Sequence, residues 1–233
     1  MRMVALWVSL DKEERMKVNE IFQSISGEVG DIPQGAVAWF IRFQGCGLRC
    51  KWCDTEQAQE KDAYAFTLNP EEIAAAIPED SNVILTGGEP LLQNRRDLIS
   101  LVSLLDDKGC IIQVETNGSQ KPFLPICHVF DYKTPSSGEH DKMMSLHHFL
   151  ECSGFPQTWI KFVIKDPEDL EFTLSIMKDF DLLRPGWRGL QMALSIDSGE
   201  GVQYAMGRLK ETMPLLMHRV VFNFQLHKHF NLK

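Results

Sequence analysis

The sequence predicts an α/β fold of mostly parallel strands. Two observations carry this. Short apolar, β-rich runs alternate with helical stretches along the chain, and that order implies parallel pairing with right-handed crossovers. Polar and glycine-rich residues punctuate one end of strand after strand: Arg42 and Gly45, Thr86 to Pro90, Glu115 to Gly118, Asp131 to Pro135, Gln225 to Lys228. Ligands bind at the carboxyl ends of strands in barrels and in open sheets alike, so one shared site is expected there. Spacing alone leaves a doubly wound sheet and a barrel-like sheet both open.

The elements follow in order. Ala36 to Phe43 (AVAWFIRF) reads as the first strand. Pro70 to Ile77 reads as a helix, with Asn69 as N-cap and Pro70 at the first helical position. Asn82 to Leu85 is a short buried strand running into Thr86-Gly87-Gly88. Asn94 to Asp107 carries helical apolar spacing at Leu98, Leu101, Val102 and Leu105, closed by Gly109. Cys110 to Val114 and Val129 to Tyr132 read as strands, and His140 to Cys152 as a helix. Thr158 to Ile164 is a strand, and Pro167 to Phe180 a helix capped by Asp166. Leu190 to Leu194, a helix from Gly199 to Met213, and a last strand from Arg219 to Phe224 complete the set. No repeat, linker or compositional break divides the chain, so one domain over 1–233 is expected.

Composition narrows the class. Of 233 residues, 44% are hydrophobic and 24% charged, which excludes disorder and low-complexity classes. No apolar run approaches the roughly 20 residues that span a bilayer. Met1 to Leu10 is apolar but short, and Asp11, Glu13 and Glu14 follow it, so no secretory signal is expected. The net charge of -8 repels a phosphate backbone, so neither nucleic acid nor membrane is an expected partner. A reducing, cytoplasmic compartment follows, where clustered cysteines mean metal rather than disulfides.

The sharpest signal is Gly45-Cys46-Gly47-Leu48-Arg49-Cys50-Lys51-Trp52-Cys53-Asp54, a C-x3-C-x2-C loop after the first strand. Structural zinc wants four ligands, and no fourth cysteine or histidine lies near in sequence. Three cysteines on a cubane iron–sulfur cluster leave one iron without a protein ligand, free to take a cofactor. Thr86-Gly87-Gly88-Glu89-Pro90 and Glu115-Thr116-Asn117-Gly118 each stand at a strand end. Alone, the first reads as an ordinary turn and the second as a common Asn-Gly turn. Together with the cysteine loop, in this order, the three segments resemble the radical S-adenosylmethionine superfamily.

That resemblance implies a partial β/α barrel of mostly parallel strands. It implies one 4Fe-4S cluster on Cys46, Cys50 and Cys53, whose open iron chelates S-adenosylmethionine. One electron then cleaves the sulfonium and releases a 5′-deoxyadenosyl radical, chemistry that no side chain supplies. Trp52 would pack near the adenine, Glu89 would accept from the methionine ammonium, and Asn117 would contact the ribose.

The flanks narrow the resemblance. Asn19-Glu20-Ile21-Phe22-Gln23-Ser24-Ile25-Ser26-Gly27-Glu28, Phe40 to Cys46, and Trp52-Cys53-Asp54-Thr55 closely resemble the 7-carboxy-7-deazaguanine synthase family. Pro135-Ser136-Ser137-Gly138 and Gln225-Leu226-His227-Lys228 match it too. The resemblance covers the chain from about Val18, leaving residues 1–17 as an N-terminal extension. It implies a carbon–nitrogen lyase of queuosine and deazapurine biosynthesis. The reaction converts 6-carboxy-5,6,7,8-tetrahydropterin to 7-carboxy-7-deazaguanine by radical ring contraction with loss of ammonia.

By position, Cys53, Trp52, Asp54, Gly88, Asp131, Tyr132, Lys133, Gln191, Met192, Ala193 and Leu194 would line the cofactor. Ile25, Ser26, Gly27, Glu28, Thr86, Gln225 and His227 would meet the substrate, and Arg42 would fork its carboxylate. Thr55 would give its hydroxyl to Mg2+, a cation that favours hard oxygen ligands. No side chain is assigned a catalytic role beyond the cofactors. A homodimer and a one-electron donor such as flavodoxin are implied as well.

Two departures stand out. Ser26-Gly27-Glu28-Val29-Gly30 replaces a Gln-Gly-Glu-Gly pattern. Asp131-Tyr132-Lys133 replaces a Ser-Pro-Lys type segment and is similar to a stretch of glycyl-radical enzyme activases, the alternative reading. A non-catalytic zinc-binding interaction module is the further alternative. The bland readings make Arg42 a surface ion pair, Thr55 a helix N-cap and His227 a core histidine.

Overall fold

The computed structural model describes residues 15–145, 148–149, 158–183, 190–226 and 230. Nine strands form one sheet. They are β1 (Met16–Ile25), β2 (Val37–Phe43), β3 (Phe66–Leu68), β4 (Asn82–Gly87), β5 (Ile111–Thr116), β6 (Cys127–Tyr132), β7 (Thr158–Val163), β8 (Leu190–Ser195) and β9 (Val220–Asn223). The order is β3-β1-β2-β4-β5-β6-β7-β8-β9. β1 pairs antiparallel with both β2 and β3, and every later neighbour pair is parallel. The two end strands do not pair, so the sheet is a partial barrel.

Period-two alternation divides each strand between the two faces. On the convex face, Ile41, Phe43, Val83, Leu85 and Val114 pack with Leu98, Leu101 and Leu105 of α2 (Arg95–Asp106) and Ile73 of α1 (Pro70–Ala75). Further along, Phe130, Ile160, Phe162, Met192 and Leu194 pack with Leu170, Leu174, Met177 and Phe180 of α3 (Pro167–Leu183). Ala205 and Leu209 of α4 (Gly199–Thr212) close that layer. The concave face carries small apolar clusters lower down, such as Val29, Val129, Trp159 and Ala193. Above them it carries charge.

The helix starts follow the sequence. Asn69 and Glu72 form a capping box, with Asn69 Oδ1 accepting from Glu72 N at 2.7 Å and Glu72 Oε2 from Asn69 N at 2.9 Å. Asn94 accepts from Arg96 N at 2.9 Å, Asp166 from Asp169 N at 2.9 Å, and Ser198 from Gly201 N at 3.1 Å.

Three expectations change. β1 and β3 were not expected as strands, because β1 turns Glu20 and Phe22 toward the cavity and so shows no clean alternation of apolar and polar residues. β6 begins earlier than expected, at Cys127. His140 opens a 3-10 turn, His140–Lys142, and Met143 is already extended. The preceding Glu139 accepts from Arg49 N at 2.8 Å, which pins this segment to the cysteine loop in place of helix. Residues 148 and 149 of that expected helix are helical, and its residues 146, 147 and 150–152 lie outside the described residues, as does His227. Among the described residues, no helix is long and apolar enough to cross a membrane.

Candidate active site

The concave face and the strand-end loops enclose a cavity of about 520 Å³, within the range of small-molecule sites. The cysteine loop forms one wall, and backbone packing explains why its position is fixed. Gly88 N donates to Phe43 O at 3.0 Å and Glu89 N to Gly45 O at 2.8 Å. A Cβ on Gly88 would stand 2.2 Å from Gly45 O, and one on Gly87, at φ +131°, would stand 2.3 Å from Phe43 O. Both glycines are therefore required where the β4 end passes beneath the loop.

From below, Glu89 braces the site. It is fully buried, its Oε1 accepting from Thr116 Oγ1 at 2.8 Å and Leu91 N at 2.9 Å, and its Oε2 from Asn117 N at 2.7 Å. Asn117 in turn donates from Nδ2 to Cys46 Sγ at 3.4 Å. Across the loop, Lys51 N donates to Ser137 O at 3.0 Å and Trp52 Nε1 to Ser136 Oγ at 3.0 Å, so the Pro135–Ser137 turn supports the other side.

Cys46, Cys50 and Cys53 are free, half-buried and open to the cavity. Burial pushes the Cys50 thiol up to about 11, with Asp131 and the other two thiols adding and Lys133 opposing. The donor set fits an iron–sulfur cluster: three soft ligands on one wall, and N–H donors from Leu48 and Asn117 aimed at one sulfur. Among the described residues, no three His, Cys, Asp or Glu side chains gather as ligands of a single ion. A cubane suits that geometry better, because each thiolate takes a different iron.

A buried charged array crosses the cavity beside the cysteines. Lys133 Nζ lies 3.0 Å from Asp131 Oδ2 and 5.0 Å from the Trp52 ring centroid. Asp131 Oδ2 also meets Lys161 Nζ at 3.4 Å, and Lys161 meets Glu28 Oε1 at 2.9 Å. Glu28 accepts from Gln225 Nε2 at 2.9 Å and Asn223 Nδ2 at 2.5 Å. Glu115 Oε2 accepts from Thr86 Oγ1 at 3.0 Å. Arg42 pairs with Glu20 at 2.8 Å.

Burial, then the Glu28 charge, pushes the Glu115 carboxyl up to about 7, against the pull of Lys161, Thr86 and Arg42. The folded chain therefore holds a proton on Glu115 that the unfolded chain releases above its ordinary 4.5. Glu115's contribution to stability is full below about 4.5 and is lost as pH rises towards about 7. Glu115→Gln is expected to remove that downward slope in melts taken from about pH 5 to 8. An unchanged slope would assign it to other groups.

Of the residues expected from sequence, the cavity gathers Ile25, Gly27, Glu28, Arg42, Cys46, Cys50, Trp52, Cys53, Asp54, Thr55, Thr86, Gly88, Asn117, Asp131, Lys133 and Gln225. Ser26, Glu89, Tyr132, Gln191, Met192, Ala193 and Leu194 lie outside its lining. Ser26 is buried, its hydroxyl on the Glu28 and Ile32 carbonyls. Tyr132, Met192 and Leu194 sit in the convex-face core. Ala193 is on the concave side, below the charged array. Thr55 heads the 3-10 turn Glu56–Ala58, but its hydroxyl makes no cap bond and lies 3.7 Å from Cys53 Sγ. Sequence reasoning missed Lys161, and it gave Glu20 and Glu115 no site role although both stand in segments it singled out. A lysine inside the apolar run Thr158–Val163 was the available signal, since lysine is buried only with partners.

The sequence profile of the Radical SAM superfamily matches residues 40–122, from β2 through the cysteine loop and past the Gly118 turn. The 7-carboxy-7-deazaguanine synthase of Clostridium acetobutylicum is 38% identical over 179 residues, spanning 71% of this chain and 76% of that protein. This chain belongs to the 7-carboxy-7-deazaguanine synthase family. The family's protein from Pyrobaculum aerophilum is 35% identical over 162 residues, spanning 67% of this chain and 70% of its own. The crystal structure of QueE from Escherichia coli superposes with a TM-score of 0.65 at 21% identity, covering 91% of this chain and 94% of that one, and shares its fold. As a family member the chain is a radical S-adenosylmethionine lyase that uses a 4Fe-4S cluster and S-adenosylmethionine.

Proposed function

We propose that this chain converts 6-carboxy-5,6,7,8-tetrahydropterin to 7-carboxy-7-deazaguanine by ring contraction with loss of ammonia, in queuosine or related deazapurine biosynthesis. The observation that carries the reading is a single cavity with a three-thiol wall beside a buried array of carboxylates, ammoniums and Arg42. Family membership favours it over a glycyl-radical activase or a zinc module.

Cys46, Cys50 and Cys53 hold the cluster. Bound there with S-adenosylmethionine, it supplies the radical that abstracts hydrogen from the substrate. Trp52, Asp54, Gly88, Asn117, Asp131 and Lys133 surround the cofactor, and Glu89 acts from below by fixing Thr116 and Asn117. Ile25, Gly27, Glu28, Thr86 and Gln225 seat the pterin. Its hydrogen-bonding edge presents donors and acceptors together, which a wall of buried carboxylate, amide and hydroxyl groups can match. Arg42 takes the carboxylate.

Thr55 gives Mg2+ its one protein oxygen, the substrate and water supplying the rest. The hydroxyl is free of capping duty, which supports this role. Thr55→Ala is expected to abolish Mg2+ stimulation of turnover while iron content and S-adenosylmethionine binding stay at wild-type levels. Equal Mg2+ response in both proteins would remove the metal from Thr55. We also assign a homodimer, a cytoplasmic location and a flavodoxin-type one-electron donor. The test of the whole reading is anaerobic reconstitution followed by a product assay with the carboxypterin.

A further inference from the structure

Glu20 and Arg42 stand directly opposite each other in the β1–β2 register. Glu20 Oε1 accepts from Arg42 Nε at 2.8 Å, with the two side chains 19% and 12% exposed. Phe22 stands opposite Phe40, their rings stacked with centroids 5.1 Å apart. The Arg42 guanidinium carbon lies 5.4 Å from the Phe22 centroid. All four side chains line the cavity.

These contacts use two separate surfaces of one guanidinium. Glu20 takes the Nε edge and Phe22 covers a face. Among the described residues, the terminal nitrogens Nη1 and Nη2 make no hydrogen bond, and theirs is the edge that grips a carboxylate through two parallel bonds. An ion pair this desolvated costs more to bury than an apolar cross-strand pair would, so stability alone gives little reason for it.

We propose that Glu20 is a positioning residue: it fixes the rotation of the Arg42 guanidinium so that the Nη edge meets the carboxylate of the ring substrate. This rests on the reading of Arg42 as the carboxylate partner. Without Glu20 the fork is free to swing, and the bound carboxylate loses one of its two bonds.

The test compares reconstituted wild type, Glu20→Gln, Arg42→Lys and the double variant with the carboxypterin. Glu20→Gln keeps an acceptor for Arg42 Nε but loses its charge, and is expected to raise KM about fivefold, the difference between a charge-assisted and a neutral hydrogen bond, with kcat within about twofold. Iron content and S-adenosylmethionine affinity are expected to be unchanged. The double variant is expected to have a KM no worse than that of Arg42→Lys, because the proposed effect of Glu20 on the carboxylate runs through Arg42. A wild-type KM in Glu20→Gln overturns the proposal. So does a loss of cluster, or a parallel loss of S-adenosylmethionine affinity, either of which makes Glu20 a structural residue. Additive effects in the double variant overturn it too, by giving Glu20 its own substrate contact. A wild type that does not turn over the carboxypterin brings down the parent reading, and this one with it. Brisk wild-type turnover with an unaffected Glu20→Gln removes the Glu20 role alone.

Discussion

Alanine at Cys46, Cys50 or Cys53 is expected to reduce bound iron and sulfide to near zero after anaerobic reconstitution, and to abolish S-adenosylmethionine cleavage. Each of the three thiols opens on the same cavity wall, and the loop has no spare ligand. Cys110→Ala supplies the contrast. Cys110 is 7% exposed, lies just before β5 at the end of the strand away from the cavity, and places its thiol 3.6 Å from Pro78 O. It packs as a small apolar group, so its loss is expected to leave iron content at wild-type level. Iron analysis with the visible spectrum distinguishes the two cases. Iron retained in Cys50→Ala but lost in Cys110→Ala would refute the assignment of the loop.

Lys161→Met is expected to produce the largest loss of stability of any single change in the cavity wall. Lys161 is 5% exposed and contacts both Glu28 and Asp131, with Glu115 also acting on it. Methionine keeps the volume but leaves Glu28 buried without its cation and Asp131 with Lys133 alone. Removing one partner of a buried pair costs about 3–5 kcal/mol. For a chain of this length, that corresponds to a melting temperature lower by roughly 10 °C. Glu28→Gln in the same background is expected to recover part of the loss, since it removes one of the stranded charges. A melting temperature within about 2 °C of wild type would show that water reaches the array and that its charges are not desolvated.

Much of this molecule was legible in its sequence, and the failures share a cause. The parallel strands and helix caps were readable because apolar periodicity and capping side chains are local signals. Asn69 and Asp166 each cap the helix they were expected to cap. The cysteine loop was readable because its chemistry is written in consecutive residues. β1 was not, because its cavity-facing positions include Glu20 and Phe22, which erase the alternation that marks a half-buried strand. The start of the helix expected from His140 gives way to a 3-10 turn where Glu139 accepts from Arg49 N, a tertiary contact between residues far apart in sequence. Tyr132, Met192 and Leu194 were placed by position at the cofactor, yet each points into the convex core, because a one-residue step along a strand changes face. Glu115 and Lys161 acquire meaning only once parallel pairing brings β4 to β7 side by side.

The central claim is that this cavity carries radical chemistry on a carboxypterin, and isotope transfer tests it most directly. The substrate is prepared with deuterium on the carboxylate-bearing carbon and incubated anaerobically with reconstituted protein, S-adenosylmethionine and a reductant. On the proposed reading, Arg42 and residues 25–28 place that carbon beside the cofactor, where closeness of the reacting atoms does much of the work. The predicted result is deuterium in 5′-deoxyadenosine together with 7-carboxy-7-deazaguanine. S-Adenosylmethionine cleavage at a normal rate, with unlabelled 5′-deoxyadenosine and no deazaguanine, would contradict the account.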